Sequence, residues 1–144
     1  MSEMSVSTVI IEAPLAQVQA ALFEIEAYPE WLTSIKKVDV LERDGENRII
    51  KAKLAIDAGM MKDRVSLEYD WSSAPSSLSF SLDDADLLTQ MDGTYLLKAI
   101  DSDSTQVTYE LTVAVAMPVP AMMITKAQKQ TIDAALKELA QRVE

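Results

Sequence analysis

The sequence contains neither cysteine nor histidine. Without cysteine there is no disulfide framework, no thiolate metal site and no cysteine nucleophile. Without histidine, the commonest general acid–base group and the commonest metal ligand are both missing. Ser-His-Asp, Cys-His and histidine-rich zinc sites are therefore excluded, and any catalysis has to use Asp, Glu, Lys, Arg, Tyr or water. No run of residues approaches the ~20 apolar positions of a membrane span. Residues 1–8 are polar, carry Glu3, and lack the basic start and apolar stretch of a signal peptide. A cytoplasmic protein with no integral membrane association, no metal and no cofactor is the expectation.

Positive charge is also in short supply. Thirteen Lys and Arg face 23 Asp and Glu, a formal net charge of −10. Such a balance disfavours nucleic acid and anionic membrane surfaces, both of which reward basic side chains. What is plentiful is apolar surface: 49% of the 144 residues are hydrophobic, enough to exclude disorder. A chain of this length buries roughly 70% of its unfolded surface without staples. No repeat, linker or low-complexity tract interrupts it, so residues 1–144 read as a single domain, a monomer or weak dimer.

Residues 4–12 are rich in Val, Ile and Thr and predict a strand. Pro14 stands where a helix should start, and Leu15, Val18, Leu22 and Ile25 follow at helical spacing, ending near Glu26. Residues 28–32, with Pro29, predict a second short helix. From Ile35 the period changes to two. Strands are expected over 35–43, 47–57, 63–72, 77–83, 89–100 and 105–116, with Asp44-Gly45 as a tight hairpin turn between the first two of these. The last strand alternates strictly: Val107, Tyr109, Leu111, Val113 and Val115 on one face, Thr108, Glu110 and Thr112 on the other. Alternation of this kind marks antiparallel strands with one dry and one wet face. Pro118 and Pro120 stop it. A helix is expected over 120–143, its apolar stripe formed by Ile132, Leu136, Leu139 and Val143, with Ile124 and Gln128 continuing that line toward the start. Strands closed by a long helix predict an α+β fold with the helix on one face of the sheet.

The order of elements and three local signatures resemble the SRPBCC superfamily, which includes START-type lipid carriers, the birch-pollen allergen group and bacterial polyketide cyclase/dehydrase proteins. The signatures are Ile11-Glu12-Ala13-Pro14-Leu15-Ala16-Gln17-Val18 followed by Tyr28-Pro29-Glu30-Trp31; Asp92-Gly93-Thr94-Tyr95 with Thr105-Gln106-Val107-Thr108-Tyr109; and Met117-Pro118-Val119-Pro120 leading into Lys126-Ala127-Gln128-Lys129. The resemblance implies a helix-grip fold: a curved antiparallel sheet wrapped around the C-terminal helix, two short helices between the first two strands, and a cavity between sheet and helix. Within the superfamily the chain looks most like the short bacterial cyclase/dehydrase-like proteins.

In an antiparallel sheet, successive hairpin loops alternate between its two ends. The 57–63 loop, the 83–89 loop and the 117–121 junction therefore share one end, where the resemblance puts a pocket entrance. That end gathers Met60, Met61, Leu87, Leu88, Met117, Met122 and Met123. Methionine is flexible and polarizable and suits varied apolar guests. These residues either gate a pocket or plug the end of the core. Exposure of Met60 and Met61 beside Gly59 favours the gate, and full burial favours the plug. Pocket walls are expected from the dry strand faces: Leu54, Ile56, Val65, Leu67, Tyr69, Trp71, Phe80, Tyr95, Leu97, Tyr109, Leu111 and Val113, facing Ile124, Gln128 and Ile132.

Tyr69, Tyr95 and Tyr109 are the candidate catalytic groups, since a phenol in an apolar cavity can orient a ligand or donate a proton. Each reads first as a core aromatic bonded to a backbone carbonyl. Asp83, Asp84 and Asp86 read as a solvated acidic turn, lacking the glycine and terminal Glu of a calcium loop. Asp63 and Arg64 are a candidate surface ion pair. Three functions remain open: binding or transport of a small hydrophobic metabolite (lipid, quinone or polyketide-like), a metal-free aromatase-like cyclase or dehydratase, and a protein-interaction module.

Overall fold

The computed structural model describes residues 3–58 and 62–144. The period-two segments form seven strands: β1 (Ser5–Ile11), β2 (Ile35–Arg43), β3 (Ile49–Asp57), β4 (Lys62–Asp70), β5 (Ser77–Ala85), β6 (Leu88–Ala99) and β7 (Thr105–Val115). They make one curved antiparallel sheet in the order β1-β7-β6-β5-β4-β3-β2. Every consecutive pair from β2 to β7 is a hairpin, and β1 closes the far edge by pairing with β7.

Between β1 and β2 the chain forms α1 (Leu15–Phe23), a 3-10 turn (Ile25–Ala27) and α2 (Tyr28–Trp31). Pro14 is the residue that caps α1, one place earlier than a first-turn proline. Val18 and Leu22 bury one face of α1. The long helix α3 (Ala121–Val143) packs on β1, β7, α1 and α2. Gln128, Ile132, Ala135, Leu136 and Leu139 are its buried stripe. This is the helix-grip arrangement expected from the sequence.

Helix α3 also shields the open edge of β1, a place where unpaired backbone invites another strand. Gln128 Nε2 bonds the Glu3 carbonyl at 2.8 Å, Lys129 Nζ bonds the Val6 carbonyl at 3.2 Å, and the Glu144 carboxylate accepts the Glu12 N–H at 2.9 Å. Lys129 also bonds Ser7 Oγ, which in turn donates to Asp133.

At the end of the sheet that holds the β2–β3, β4–β5 and β6–β7 connections, an aspartate organises each turn. Asp44 accepts the N–H groups of Glu46 and Arg48, Asp70 accepts that of Ser72, and Asp101 accepts that of Asp103. All three carboxyls lie below the usual aspartate range, Asp44 chiefly through the Arg48 N–H, Asp70 chiefly through the Ser72 side chain and Asp101 chiefly through the Ser104 hydroxyl. The β2–β3 turn is not the two-residue Asp-Gly hairpin that residues 44–45 suggest. Asn47 N–H bonds the Asp44 carbonyl at 3.0 Å, Asp44 N–H bonds the Arg48 carbonyl at 2.9 Å, and Asn47 itself takes the left-handed conformation (φ 64°). A three-residue loop results. It is favoured because Asp44 bridges its own turn through two backbone N–H groups and the Arg48 side chain.

Candidate functional site

The opposite end of the sheet carries the β3–β4 and β5–β6 connections and the β7–α3 junction. A cavity of about 130 Å³ opens there between sheet and helix. Its walls come from four places: Leu87 and Leu88 beside the β5–β6 turn, Val113 and Val115 at the end of β7, Met117 and Val119 in the junction, and Met123, Ile124, Ala127 and Gln128 on α3. Lys62, the first residue of β4, completes the rim. The cavity thus forms where β7 ends and α3 begins, because Pro118 and Pro120 turn the chain back over the sheet without filling the corner.

Of the residues anticipated from the sequence, Val113, Met117, Ile124 and Gln128 meet in this cavity, as do Leu87, Leu88 and Met123. Met122 is outside it, 82% exposed on the adjoining surface of α3. Met60 and Met61 lie outside the described residues, so the gate-or-plug criterion placed on them has no reading. Met117 and Met123 are 56% and 45% exposed, and so stand at the rim. Sequence reasoning passed over Lys62, Val115, Val119 and Ala127. Val115 was legible as the next inward position after Val113, and Ala127 as the helical neighbour of Ile124. Lys62 carried no signal, because nothing in the pattern fixes where a hairpin ends.

The deeper wall candidates do not line this cavity. Leu54, Ile56, Val65, Leu67, Tyr69, Phe80, Tyr95, Leu97, Tyr109, Leu111 and Ile132 are all buried in the core between the sheet and the helices. Aromatic rings take much of that space. Tyr95 stacks on Tyr109 with centroids 4.0 Å apart, and Tyr69 tilts against Phe80 at 6.0 Å. The Phe80 ring lies directly on the backbone of Gly93, where a Cβ would come within 2.2 Å of it. Only glycine permits that approach. Trp71 lies at the other end of the sheet: β4 stops at Asp70, and the indole packs edge-on against Phe23, under Arg48, with Nε1 bonded to the Ile49 carbonyl at 2.8 Å.

Burial pushes the phenols of Tyr28, Tyr69, Tyr95 and Tyr109 above their ordinary pKa. The phenols sit close enough for each to disfavour ionisation of another. The two stacked phenols also act on each other, Tyr109 raising Tyr95 further and Tyr95 partly offsetting the rise of Tyr109. Tyr28 donates to the Leu22 carbonyl. Phenols held neutral in this way serve as hydrogen-bond donors and not as bases.

Two polar residues shape the site. Gln128 is 1% exposed, and both polar atoms of its amide are bonded. Oε1 accepts the Val113 N–H at 2.7 Å, while Nε2 donates to the Glu3 carbonyl and to Ser5 Oγ at 2.8 and 2.9 Å. It therefore ties β1 to β7 just beyond their last backbone pair. Asp63 supports the turn above the cavity. Its carboxylate accepts the N–H groups of Asp86, Leu87 and Leu88 at 3.1, 3.0 and 2.9 Å. The ion pair expected between Asp63 and Arg64 is replaced by a bond from the Arg64 backbone N–H at 2.7 Å. A carboxylate facing three converging amides gains more there than from an exposed guanidinium. Asp83 and Asp84, expected in a turn, lie in β5, which runs on to Ala85, and Asp83 pairs there with Lys51 at 3.5 Å. Among the described residues no cluster of acidic side chains is arranged to hold a metal ion, and no helix is long and apolar enough to cross a membrane.

The family model for polyketide cyclase / dehydrase and lipid transport matches residues 11–140. A START superfamily protein from Mycobacterium smegmatis is 25% identical and superposes with a TM-score of 0.92, the match covering 97% of this chain and 96% of that one. The Zhui aromatase/cyclase from Streptomyces sp. R1128 shares the fold at 17% identity and TM-score 0.79, over 98% and 93% of the two chains. A protein from Thermus thermophilus does so at 20% and 0.83, over 98% and 97%. No curated protein matches the chain.

Proposed function

This chain belongs to the polyketide cyclase / dehydrase and lipid transport family, and from that premise we propose that it binds and carries a small hydrophobic metabolite, held in the cavity between β7 and the start of α3. The observation that supports this most is the character of the cavity. Its walls are Leu, Val, Ile, Met and Ala apart from Gln128 and Lys62, and every polar atom of the Gln128 amide is engaged by the protein itself. An apolar guest loses no hydrogen bond on entering and strands none. At about 130 Å³ the space is comparable with a cavity that takes up benzene. The flexible side chains of Met117 and Met123 at the rim suit it to more than one guest.

Carriage is favoured over cyclisation by the separation of the two kinds of residue. Tyr69, Tyr95 and Tyr109 do not line the cavity, and the last two are stacked ring on ring. A cyclase of this fold would need an acid or base inside the cavity beside the reacting carbon, whereas Lys62, the one ionisable residue of the lining, stands at the rim.

Native mass spectrometry of protein taken from its own host, joined to displacement of a fluorescent apolar dye, tests the reading. A co-purified small molecule and dye binding abolished by Ala127→Phe are expected, since the added ring occupies the cavity. Dye binding unchanged in Ala127→Phe, with no bound mass in the native spectrum, contradicts it. Turnover of a polyketide that falls in Tyr→Phe variants at 69, 95 or 109 would move the assignment to an enzyme.

A further inference from the structure

Among the residues lining the cavity, Lys62 alone carries a charge. It stands at the rim, its side chain 70% exposed. Its ion pair with Asp57 is long, 3.7 Å, and an exposed pair of this kind holds a lysine only weakly. The interior offers a ligand's charged end no counter-ion: both polar atoms of the Gln128 amide already bond the protein, and among the described residues no buried side-chain nitrogen or oxygen lacks a partner. A guest with a polar end must therefore leave that end at the mouth, where it meets an ammonium. The first turn of α3 forms one wall of the same mouth and contains no acidic side chain, so its dipole adds to the field of Lys62 and opposes that of Asp57 and of Asp63, whose carboxylate is taken up by three turn amides.

We propose that the ligand class is the small anionic amphiphile: a monocarboxylate or comparable anion on an apolar tail of about six carbon atoms, the tail filling the benzene-sized cavity and the head paired with Lys62. The inference rests on the cavity being the binding site and goes beyond it by choosing the head group. The protein's overall charge of −10 acts against any anion at long range. A preference for a carboxylate is therefore a local property of this mouth and not of the surface as a whole.

The test compares hexanoate with hexan-1-ol, equal in chain length and different in charge, by NMR titration of the full chain at pH 7. Wild-type protein should bind hexanoate about two- to five-fold more tightly, the range of one exposed ion pair. The preference should vanish in Lys62→Met, invert in Lys62→Glu and shrink in 0.5 M sodium chloride. Lys62 is exposed, so these variants fold. Hexanol binding as tight as hexanoate in the wild type, or an unchanged preference in Lys62→Met, overturns the head-group assignment and leaves the apolar cavity standing. Failure of both compounds to bind overturns the assignment together with the cavity reading on which it depends.

Discussion

Replacing Gln128 by leucine isolates the polar clasp that lets an apolar cavity exist beside the first strand. Leucine is close to glutamine in volume, so little empty space is created and the cost comes from lost hydrogen bonds. Three are removed: Val113 N–H at 2.7 Å, the Glu3 carbonyl at 2.8 Å and Ser5 Oγ at 2.9 Å. They are not equivalent. Val113 is 3% exposed, so its amide is stranded, at about 1–3 kcal/mol. Glu3 is an exposed residue whose carbonyl rehydrates, and the Ser5 hydroxyl rotates to another acceptor or to water. Together these add about 1 kcal/mol. The expected loss is about 2–4 kcal/mol, or about 6–15 °C in melting temperature for a domain of this size. Thermal and urea denaturation measure the total, and hydrogen exchange of the Val113 amide locates it. A loss below about 1 kcal/mol with Val113 exchange unchanged would refute the clasp. Binding of apolar guests should survive in folded Gln128→Leu, because the amide gives the guest nothing.

Gly93→Ala drives a Cβ to within 2.2 Å of the Phe80 ring. The ring is hemmed in by Tyr69, so destabilisation of about 1–3 kcal/mol is expected in chemical denaturation; an unchanged midpoint would mean that the ring moves freely. Asp63→Ala removes the acceptor for three amides of the turn above the cavity. Stability should fall by only about 1 kcal/mol, because the turn is open to water, while hydrogen exchange at Asp86, Leu87 and Leu88 accelerates. Equal exchange in both proteins contradicts the role given to Asp63. All four tyrosines of the sequence are buried with raised pKa. Their neutral forms are favoured in the fold, so the contribution to stability is complete below pH about 10 and is lost as pH rises above the unfolded value. Phenolate absorbance should stay absent through pH about 10–11 and then appear together with unfolding. Gradual titration of one or more phenols in folded protein contradicts their burial.

The parts of the fold that were legible are those where a period is imposed by a dry face. Alternation in β4 and β7 placed Val65, Leu67, Tyr109, Leu111 and Val113 inward, and all are buried. The α3 stripe placed Gln128, Ile132, Leu136 and Leu139 correctly for the same reason. Trp71 keeps the parity of β4 but follows its last residue, and parity predicts direction only while a strand continues. The Asp44-Gly45 turn was misjudged because side-chain capping by Asp44 outweighs the glycine's freedom at the next position. The cavity was legible in part, through Val113, Ile124 and Gln128 on its walls and Met117 at its rim. Parity says which side chains point inward but not which of them meet, and here Phe80 on Gly93 and Tyr95 on Tyr109 occupy the deep interior. The cavity that remains lies at the corner where β7 hands over to α3.

Titration of methyl-labelled protein with benzene reports the location of that room most directly. The account predicts saturable shifts at Leu88, Val113, Val115, Ile124 and Ala127, with Leu54, Val65 and Leu67 unmoved. Saturable shifts confined to the latter three, or none anywhere, would contradict it.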